Sequence, residues 1–230
     1  ITVASACTMA GIVAGCITST GLASKLLRAI VSASGGVMIV ALLLTMVCCI
    51  VLGMGVPTTA TYCIMAATCA PILMSPDIGV EMLAAHFFVF YYGIVADITP
   101  PVALAAYAGA AIAKAGPMKT AFNASRLAIA AFIVPYIIAM NPAMLFINTT
   151  IPEVVMITIS SIIGIFGVAA GLSGFVFRDM KWWERILCIV GGLTLLVPGS
   201  LTDIIGLVLV GAVCVLGYQA AKKEKEMLAA

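Results

Sequence analysis

The chain has 230 residues, of which 64% are hydrophobic and only 9% are charged. Soluble domains are about 45–50% apolar and about 25% charged, so this composition excludes a soluble globular protein. The net charge of +2 indicates nothing about partners, but the sequence has no basic patch of the kind that binds nucleic acid. Long apolar runs follow one another without the alternation of β-strands. They indicate an all-α membrane protein, a multi-span helical bundle.

The first predicted elements lead up to an unusual motif. An apolar, glycine-containing stretch at 2–23 predicts a first membrane span, and the basic, amphipathic stretch at 24–36 predicts a helix lying at the interface. Residues 37–74 form two apolar arms on either side of the sequence GMGVPTT, which covers 53–59. A lipid-facing helix has no use for two glycines, a proline and paired threonines, so the motif indicates a functional interruption.

A second apolar stretch is also interrupted. It covers 82–114, follows an acidic turn at 75–81, and contains the sequence DITPP at 97–101. We predict a half-helix at 82–96, a non-helical break, and a second half-helix that starts near Pro101. The break is expected because residues that precede prolines are disfavoured in the α region.

The rest of the chain supplies further helices. One span is predicted within 119–146 and another at 153–177, followed by a charged aromatic loop. Two short apolar helices are predicted within 186–219, on either side of the sequence PGSLTD, and a charged tail follows. Because the chain starts inside an apolar segment, without an initiator methionine, we expect it to be the C-terminal part of a longer protein.

The arms on either side of the first motif are short. Each is about 24 Å long at 1.5 Å per residue, whereas the hydrocarbon core of a bilayer is about 30 Å thick. Two full spans joined by a buried loop are one interpretation, and a re-entrant hairpin with its tip near the bilayer midplane is the other. The hairpin fits better, because non-helical backbone at that depth is tolerated only where protein or water covers it.

The predicted hairpin tip has the chemistry of an ion-binding site. The first arm ends at Gly53, and the carbonyl end of a helix carries partial negative charge that favours a cation. The second arm begins near Pro57 with Thr58 and Thr59 in its first turn, where proline is favoured and threonine caps the helix. Gly55 lets the backbone turn. The tip thus offers carbonyl and hydroxyl oxygens to a hard cation and free N–H groups to a carboxylate.

The second break repeats this arrangement and adds a charge. Asp97 and Thr99 lie at the break, and Asp97 is the only acidic residue between 82 and 152. A carboxylate inside a membrane marks a functional site by default, and two interrupted segments are the best sequence indication of a secondary transporter's binding site. The alternatives are proline kinks without a site, and an Asp97 that merely lies at an interface.

Three long motifs carry a resemblance to a known family. They are GMGVPTTATYCIMAATCAPIL, AAHFFVFYYGIVADITPPVALAAYAGAAIA and PMKTAFNASRLAIAAFIVPYIIAMNPAML. Over roughly 2–146 the chain resembles the C-terminal half of the fused membrane subunit of TRAP transporters, the tripartite ATP-independent periplasmic type, and most closely the TAXI-associated branch. The resemblance implies an elevator-type transporter in which cations bind at hairpin tips and helix breaks.

The resemblance also implies a division of the chain and a set of site residues. Residues 1–36 would form a scaffold span with an interfacial arm helix, 37–118 half of a transport domain (hairpin 37–74, broken helix 82–114), 119–146 a following span, and 147–230 additional C-terminal transmembrane helices with a charged tail. The implied cation-binding residues are Gly53, Gly55, Thr58, Thr59, Asp97 and Thr99. The implied substrate-binding residues are Pro57, Thr58, Pro100 and Pro101.

By this resemblance, the protein is a permease of the inner membrane of a bacterial or archaeal cell and not an enzyme. It would import an organic acid anion together with Na⁺ or H⁺, without a cofactor or resident metal. Its partners would be a TAXI-type periplasmic substrate-binding protein, the N-terminal half of the fused subunit, and membrane lipid, with no nucleic acid. The alternative function is a channel, or a membrane scaffold or assembly subunit without transport of its own.

Overall fold

The computed structural model of the chain confirms the all-α prediction. It describes residues 8, 11–13, 15–17, 19–147, 149–197 and 199–229. Within these ranges the regular elements are helices, apart from one isolated antiparallel bridge between Phe175 and Asp179. The predicted first span at 2–23 lies largely outside the described residues.

The helices are labelled in chain order. They are α1 (Leu22–Ser34), α2 (Met38–Gly53), α3 (Thr58–Thr68), α4 (Ala70–Leu73), α5 (Met82–Val95), α6 (Leu104–Ile112), α7 (Pro117–Leu127), α8 (Ile129–Met140), α9 (Ile151–Ser173), α10 (Trp182–Thr194) and α11 (Ser200–Ala229). Single 3₁₀ turns cover Ala96–Ile98 and Pro142–Leu145. The helices fall into two compact units, residues 1–139 and residues 140–230.

The helix lengths agree with interrupted helices in the first unit and with continuous membrane spans in the second. Among the residues that the structure describes, two segments are long and apolar enough to cross a membrane, Ile151–Ser173 and Leu201–Ala220. The bent pair α7 and α8 is a third if it is counted as one span. The apolar helices Met38–Gly53, Thr58–Leu73 and Met82–Ile98 are shorter. The lengths of the first two match the short arms expected of a re-entrant hairpin.

In the first unit, the acidic turn before α5 has a structural use. The side chain of Glu81 accepts hydrogen bonds from the backbone N–H groups of Leu83 (2.7 Å) and Ala84 (3.2 Å), which are otherwise without partners at a helix start. Glu81 is therefore the N-cap of α5. A cap of this kind typically contributes about 1 kcal/mol to stability.

Aromatic side chains from α5 and α8 form the centre of this unit. Phe88 and Tyr92 are fully buried, and the ring of Tyr136 packs edge-on against both, with centroids 5.4 and 6.1 Å away. The Tyr92 hydroxyl donates to the backbone oxygen of Phe132 at 2.6 Å, and the Tyr136 hydroxyl lies 3.2 Å from the Met46 sulfur. These contacts hold α8 against α5 and α2.

The span predicted within 119–146 is not one straight helix. Helices α7 and α8 meet at Ala128 and are bent by 42°. Helix α7 is amphipathic and carries Lys119, Asn123 and Arg126, whereas α8 has no charged residue. An amphipathic helix favours the membrane interface and an apolar helix favours the hydrocarbon, which fits a bend between them.

Glycines bring the three helices of the second unit into close contact. A Cβ built on Gly192 of α10 would lie 2.6 Å from the Gly164 oxygen of α9, and one built on Gly171 would lie 2.7 Å from the Arg185 oxygen. A Cβ on Gly206 of α11 would lie 2.6 Å from the Gly191 oxygen. Backbones this close allow extensive van der Waals packing, which drives helix association in membranes.

The order of these contacts makes α10 and α11 a helical hairpin beside α9. Helix α10 has 13 residues, and α11 has 30, so only α10 matches the prediction of two short helices. The last four residues of the sequence PGSLTD, Ser200 to Asp203, form the first turn of α11. At the other end of α10, the Arg185 side chain donates to the oxygens of Gly171 and Leu172 at 2.9 and 3.0 Å, satisfying carbonyl groups in the last turn of α9.

We predict that Gly192→Ala destabilises the second unit, because the added methyl group meets the α9 backbone at 2.6–2.7 Å. Overpacking of this kind costs about 1–3 kcal/mol. The matched control is Gly211→Ala in α11, where the new methyl group meets no atom within 4 Å and removes a helix-breaking glycine. The thermal unfolding midpoint in detergent should fall for Gly192→Ala and stay level or rise for Gly211→Ala. Equal shifts would contradict the packing.

Candidate functional site

The hairpin tip forms where the sequence predicts it. Helix α2 ends at Gly53, and Gly55 has a positive φ of 77°, a conformation that side chains with a Cβ rarely adopt. Pro57 (φ −57°) leads into α3, which begins at Thr58. Inside the turn, the Thr61 hydroxyl donates to the Val56 oxygen at 3.1 Å. A side chain of α3 thus fixes the tip backbone.

The second break is longer than predicted. Helix α5 ends at Val95, a 3₁₀ turn follows, and α6 begins at Leu104 instead of near Pro101. Ala103 has a left-handed backbone (φ 35°) and its N–H bonds the Thr99 oxygen at 3.2 Å, so a turn completes the break before the helix resumes. The Thr99 hydroxyl donates to the Val95 oxygen at 2.7 Å, which leaves its lone pairs available.

The tip packs directly against the break. A Cβ built on Gly53 would lie 2.9 Å from the Cβ of Ala96, and one built on Gly55 would lie 3.9 Å from Cγ1 of Val102. The tip therefore contacts the break on both sides of the sequence that contains Thr99. Gly53 is required for this approach, since no real Cβ comes so near another carbon atom.

Two side chains that the sequence analysis missed hold the break in place. The Ser125 hydroxyl of α7 donates to the Ile98 oxygen at 3.0 Å, and the Tyr107 hydroxyl of α6 donates to the Pro101 oxygen at 2.5 Å. Both bonds end on backbone carbonyl groups of the non-helical segment. They orient the backbone on either side of Thr99, and they act as positioning contacts.

The site also presents groups without protein partners. In the described ranges, Asp97 makes no hydrogen bond or ion pair and is half-buried. Thr58 and Thr59 are exposed in the first turn of α3, and no side chain caps that helix, so the expected threonine cap is wrong and Pro57 holds the N-cap position instead. The uncapped first turn leaves N–H groups free to bind an anion.

The structure brings some of the predicted residues together and leaves others apart. Gly53 and Gly55 lie against the break, whereas no hydrogen bond joins the side chains of Thr58, Thr59 and Asp97 in the part of the chain that the structure describes. His86 lies apart from this set and its Nδ1 is 3.1 Å from the Tyr62 hydroxyl, as expected of a structural histidine. The tip and the break thus each supply oxygen atoms, and the uncapped start of α3 supplies N–H donors.

We predict that Gly53→Ala separates the tip from the break and that Ala96→Gly partly restores the contact. The added methyl group meets Ala96 at 2.9 Å, and also Met65 and Thr61 at 3.2 and 3.3 Å, so rescue is incomplete. The measurement is a double-mutant cycle on the thermal unfolding midpoint, with Gly109→Ala, which adds a methyl group in open space, as the control. Purely additive effects would show that the two residues do not meet.

The chain matches two models of known protein families. A family model described as the DctM component of the tripartite ATP-independent periplasmic transporter matches residues 1–154, and a second model, a domain of unknown function (DUF3394), matches residues 154–214. Neither the curated proteins nor the solved structures contain a match to the chain. The first model covers more than half of the chain and includes both the hairpin and the break. The chain therefore belongs to the DctM family and is a multi-pass inner-membrane component of a TRAP transporter, a permease and not an enzyme.

Proposed function

We propose that the chain provides half of the ion and substrate site of a cation-coupled importer for an organic acid anion. The observation that carries the proposal is the contact between Gly53 at the hairpin tip and Ala96 at the helix break. This contact places a helix carbonyl end beside a non-helical segment that contains a carboxylate and a hydroxyl. Two interrupted helices that meet in this way are typical of binding sites in secondary transporters.

The cation would be bound by oxygen atoms. Candidates are the carbonyl end of α2 at Gly53, backbone oxygens near Gly55, the hydroxyls of Thr58 and Thr99, and the carboxylate of Asp97, with Thr59 adjacent. Carbonyl, hydroxyl and carboxylate oxygens suit a hard cation, and the carboxylate can accept a proton instead. Na⁺ and H⁺ therefore both remain candidates for the coupling ion.

The anion would be bound by backbone N–H groups. The uncapped starts of α3 and α6 follow Pro57 and Ala103, and neither helix has a side-chain cap. Helix starts carry partial positive charge and attract carboxylates. Pro57 and Thr58, together with Pro100 and Pro101, would shape the surface that the substrate contacts.

The remaining parts of the site and the delivery of the substrate come from partners. A TRAP membrane component works with a periplasmic binding protein, and we propose that this partner is of the TAXI type. The complementary hairpin and break would come from the other half of a fused subunit, in an elevator mechanism with Na⁺ or H⁺ as the driving ion. A channel, scaffold or assembly subunit is the competing function.

The decisive experiment measures uptake by the complete transporter in proteoliposomes, with its binding protein outside. Radiolabelled organic acids are tested under an imposed Na⁺ gradient, an imposed proton gradient, or neither. We expect accumulation above the external concentration with only one of the gradients. If the substrate only equilibrates across the membrane and neither gradient changes its final level, the protein is a channel. If a correctly folded complex gives no substrate flux, the protein is a scaffold.

We predict that Thr58→Val and Thr99→Val each weaken the apparent cation affinity about tenfold, or about 1.4 kcal/mol, because valine keeps the shape and removes one oxygen ligand. Thr99→Val also removes the bond to the Val95 oxygen. Thr120→Val is the matched control, because its hydroxyl makes the same kind of bond, to the Gly116 oxygen at 3.0 Å, outside the site. The measurement is the uptake rate as a function of cation concentration. If both site variants give the wild-type curve, Thr58 and Thr99 are not cation ligands.

We predict that Asp97→Asn disrupts coupling, because a charge inside the membrane costs roughly 3 kcal/mol or more unless a cation, a proton or water offsets it. Asparagine mimics the protonated acid, so a proton-coupled carrier should lose accumulation and keep substrate exchange. A Na⁺-coupled carrier should instead need more Na⁺ with little change in pH dependence. The exposed Asp77 in the turn before α5 gives the control, Asp77→Asn. Wild-type transport by Asp97→Asn under every gradient would exclude a coupling role.

A further inference from the structure

A pocket with mostly apolar walls opens between α3 and α5, in the first unit. Its volume is about 300 Å³, and it is lined by Tyr62 of α3 and by four residues of α5, namely Leu83, His86, Phe87 and Phe90. These residues belong neither to the hairpin tip nor to the helix break. Cavities of about this size and above bind small molecules in proteins, so the pocket has room for a ligand or for part of one.

Aromatic contacts shape the wall of this pocket. The Tyr62 ring packs edge-on against His86 and Phe90, with ring centroids 6.1 and 5.7 Å away. The Tyr62 hydroxyl and the His86 Nδ1 atom are 3.1 Å apart and share a hydrogen bond, so this polar pair is satisfied within the wall. Leu83 and Phe90 are 43% and 40% exposed, which leaves the pocket open at its rim. The pocket is therefore accessible and already has its aromatic wall in place.

The pocket lies close to the start of α3. Tyr62 follows Thr58 and Thr59 by four and three residues, so the three side chains share one face of the helix. Four residues correspond to about 6 Å along the helix axis. On α5, Ile94 follows Phe90 by one turn and is also exposed, so the apolar surface continues toward the helix break. The pocket is thus about one helical turn from the uncapped N–H groups of α3.

We propose that this pocket receives the apolar body of the transported substrate, and that the substrate is a monocarboxylate with an aromatic ring. The proposal rests on the proposed function, in which the free N–H groups at the start of α3 bind the carboxylate. A carboxylate bound there holds its substituent within about one helical turn of Tyr62. The pocket wall then meets the ring in the edge-on or offset arrangements that aromatic groups prefer.

The size and polarity of the pocket favour a ring over a second carboxylate. An apolar cavity of about 150 Å³ already holds a benzene molecule, so about 300 Å³ has room for a ring and a short linker. A dicarboxylate would bring its second charge against Leu83, Phe87 and Phe90, whose side chains donate no hydrogen bond, and burying an unpaired charge is costly. A lipid acyl chain would also fill the pocket, but it would make no use of the nearby N–H groups.

The test measures ligand binding by the complete membrane component in detergent, with Na⁺ present at neutral pH and without the binding protein. Affinity is obtained from the rise of the thermal unfolding midpoint with ligand concentration. The probes are phenylpropanoate, propanoate, which lacks the ring, and phenylpropanol, which lacks the carboxylate. Phenylpropanoate should bind at least about tenfold more tightly than either of the others, because it alone uses both the N–H groups and the pocket.

Variants at the pocket show whether the ring binds there. Leu83→Trp fills the pocket at its rim and should weaken phenylpropanoate binding about tenfold, with propanoate binding unchanged. The matched control is Met82→Trp, because Met82 is the preceding residue, is 64% exposed and does not line the pocket. Phe90→Ala removes part of the aromatic wall and should act in the same direction as Leu83→Trp. It provides a second variant if Leu83→Trp folds poorly.

The outcomes separate this proposal from the proposed function. If propanoate and phenylpropanoate bind equally well, only the aromatic pocket is overturned, and the anion site at the start of α3 stands. If phenylpropanol binds as tightly as phenylpropanoate, the pocket holds apolar molecules such as lipid and not the substrate. Equal weakening by Leu83→Trp and Met82→Trp would show that the ring binds elsewhere. If neither carboxylate binds, the anion site is absent and both proposals fail.

Discussion

The contact between Gly53 and Ala96 is the constraint on which the first unit depends. A lipid bilayer offers no hydrogen bonds to non-helical backbone, so each interruption must be covered by protein or water. Here the hairpin tip and the helix break cover each other. They lie so close together that a side chain larger than the hydrogen of glycine does not fit at position 53. The polar contacts of Ser125 and Tyr107 then satisfy carbonyl groups that this packing leaves open. In the proposed ion site, the contact that would bring the ligands together is also the contact that stabilises non-helical backbone in lipid.

The sequence predicts the interruptions because their residues act locally. Gly55 is at a positive φ, Pro57 leads into a helix, and Glu81 caps one, and each of these effects depends on the residue type itself. The start of α6 was misplaced because consecutive prolines indicate a break without fixing its length. The structure closes that break with a turn at Ala103, and an alanine gives no sign of it.

The positioning contacts could not be read from the sequence for a different reason. Ser125 reaches a carbonyl group 27 residues earlier in the chain, and a hydroxyl in an amphipathic helix has no distinctive spacing. The bend at Ala128 was missed because no glycine or proline marks it in the sequence. In the second unit, the glycines can be seen in the sequence, but only the structure shows that they lie at the contacts between α9, α10 and α11. The same holds for Tyr62 of the first unit, whose partner His86 is 24 residues away.

The mutual packing of hairpin tip and helix break has a consequence for the thermodynamics of transport. In the proposed elevator mechanism, two elements joined this tightly move as one rigid body, so the ligand atoms keep their spacing on both sides of the membrane. The intrinsic affinity for ion and substrate then differs little between the outward and inward orientations. A carrier of that kind has no built-in direction. The direction of transport is then set only by the electrochemical gradient and by the binding protein, which is present on one side of the membrane. Reversing the gradient would make the same transporter export its substrate.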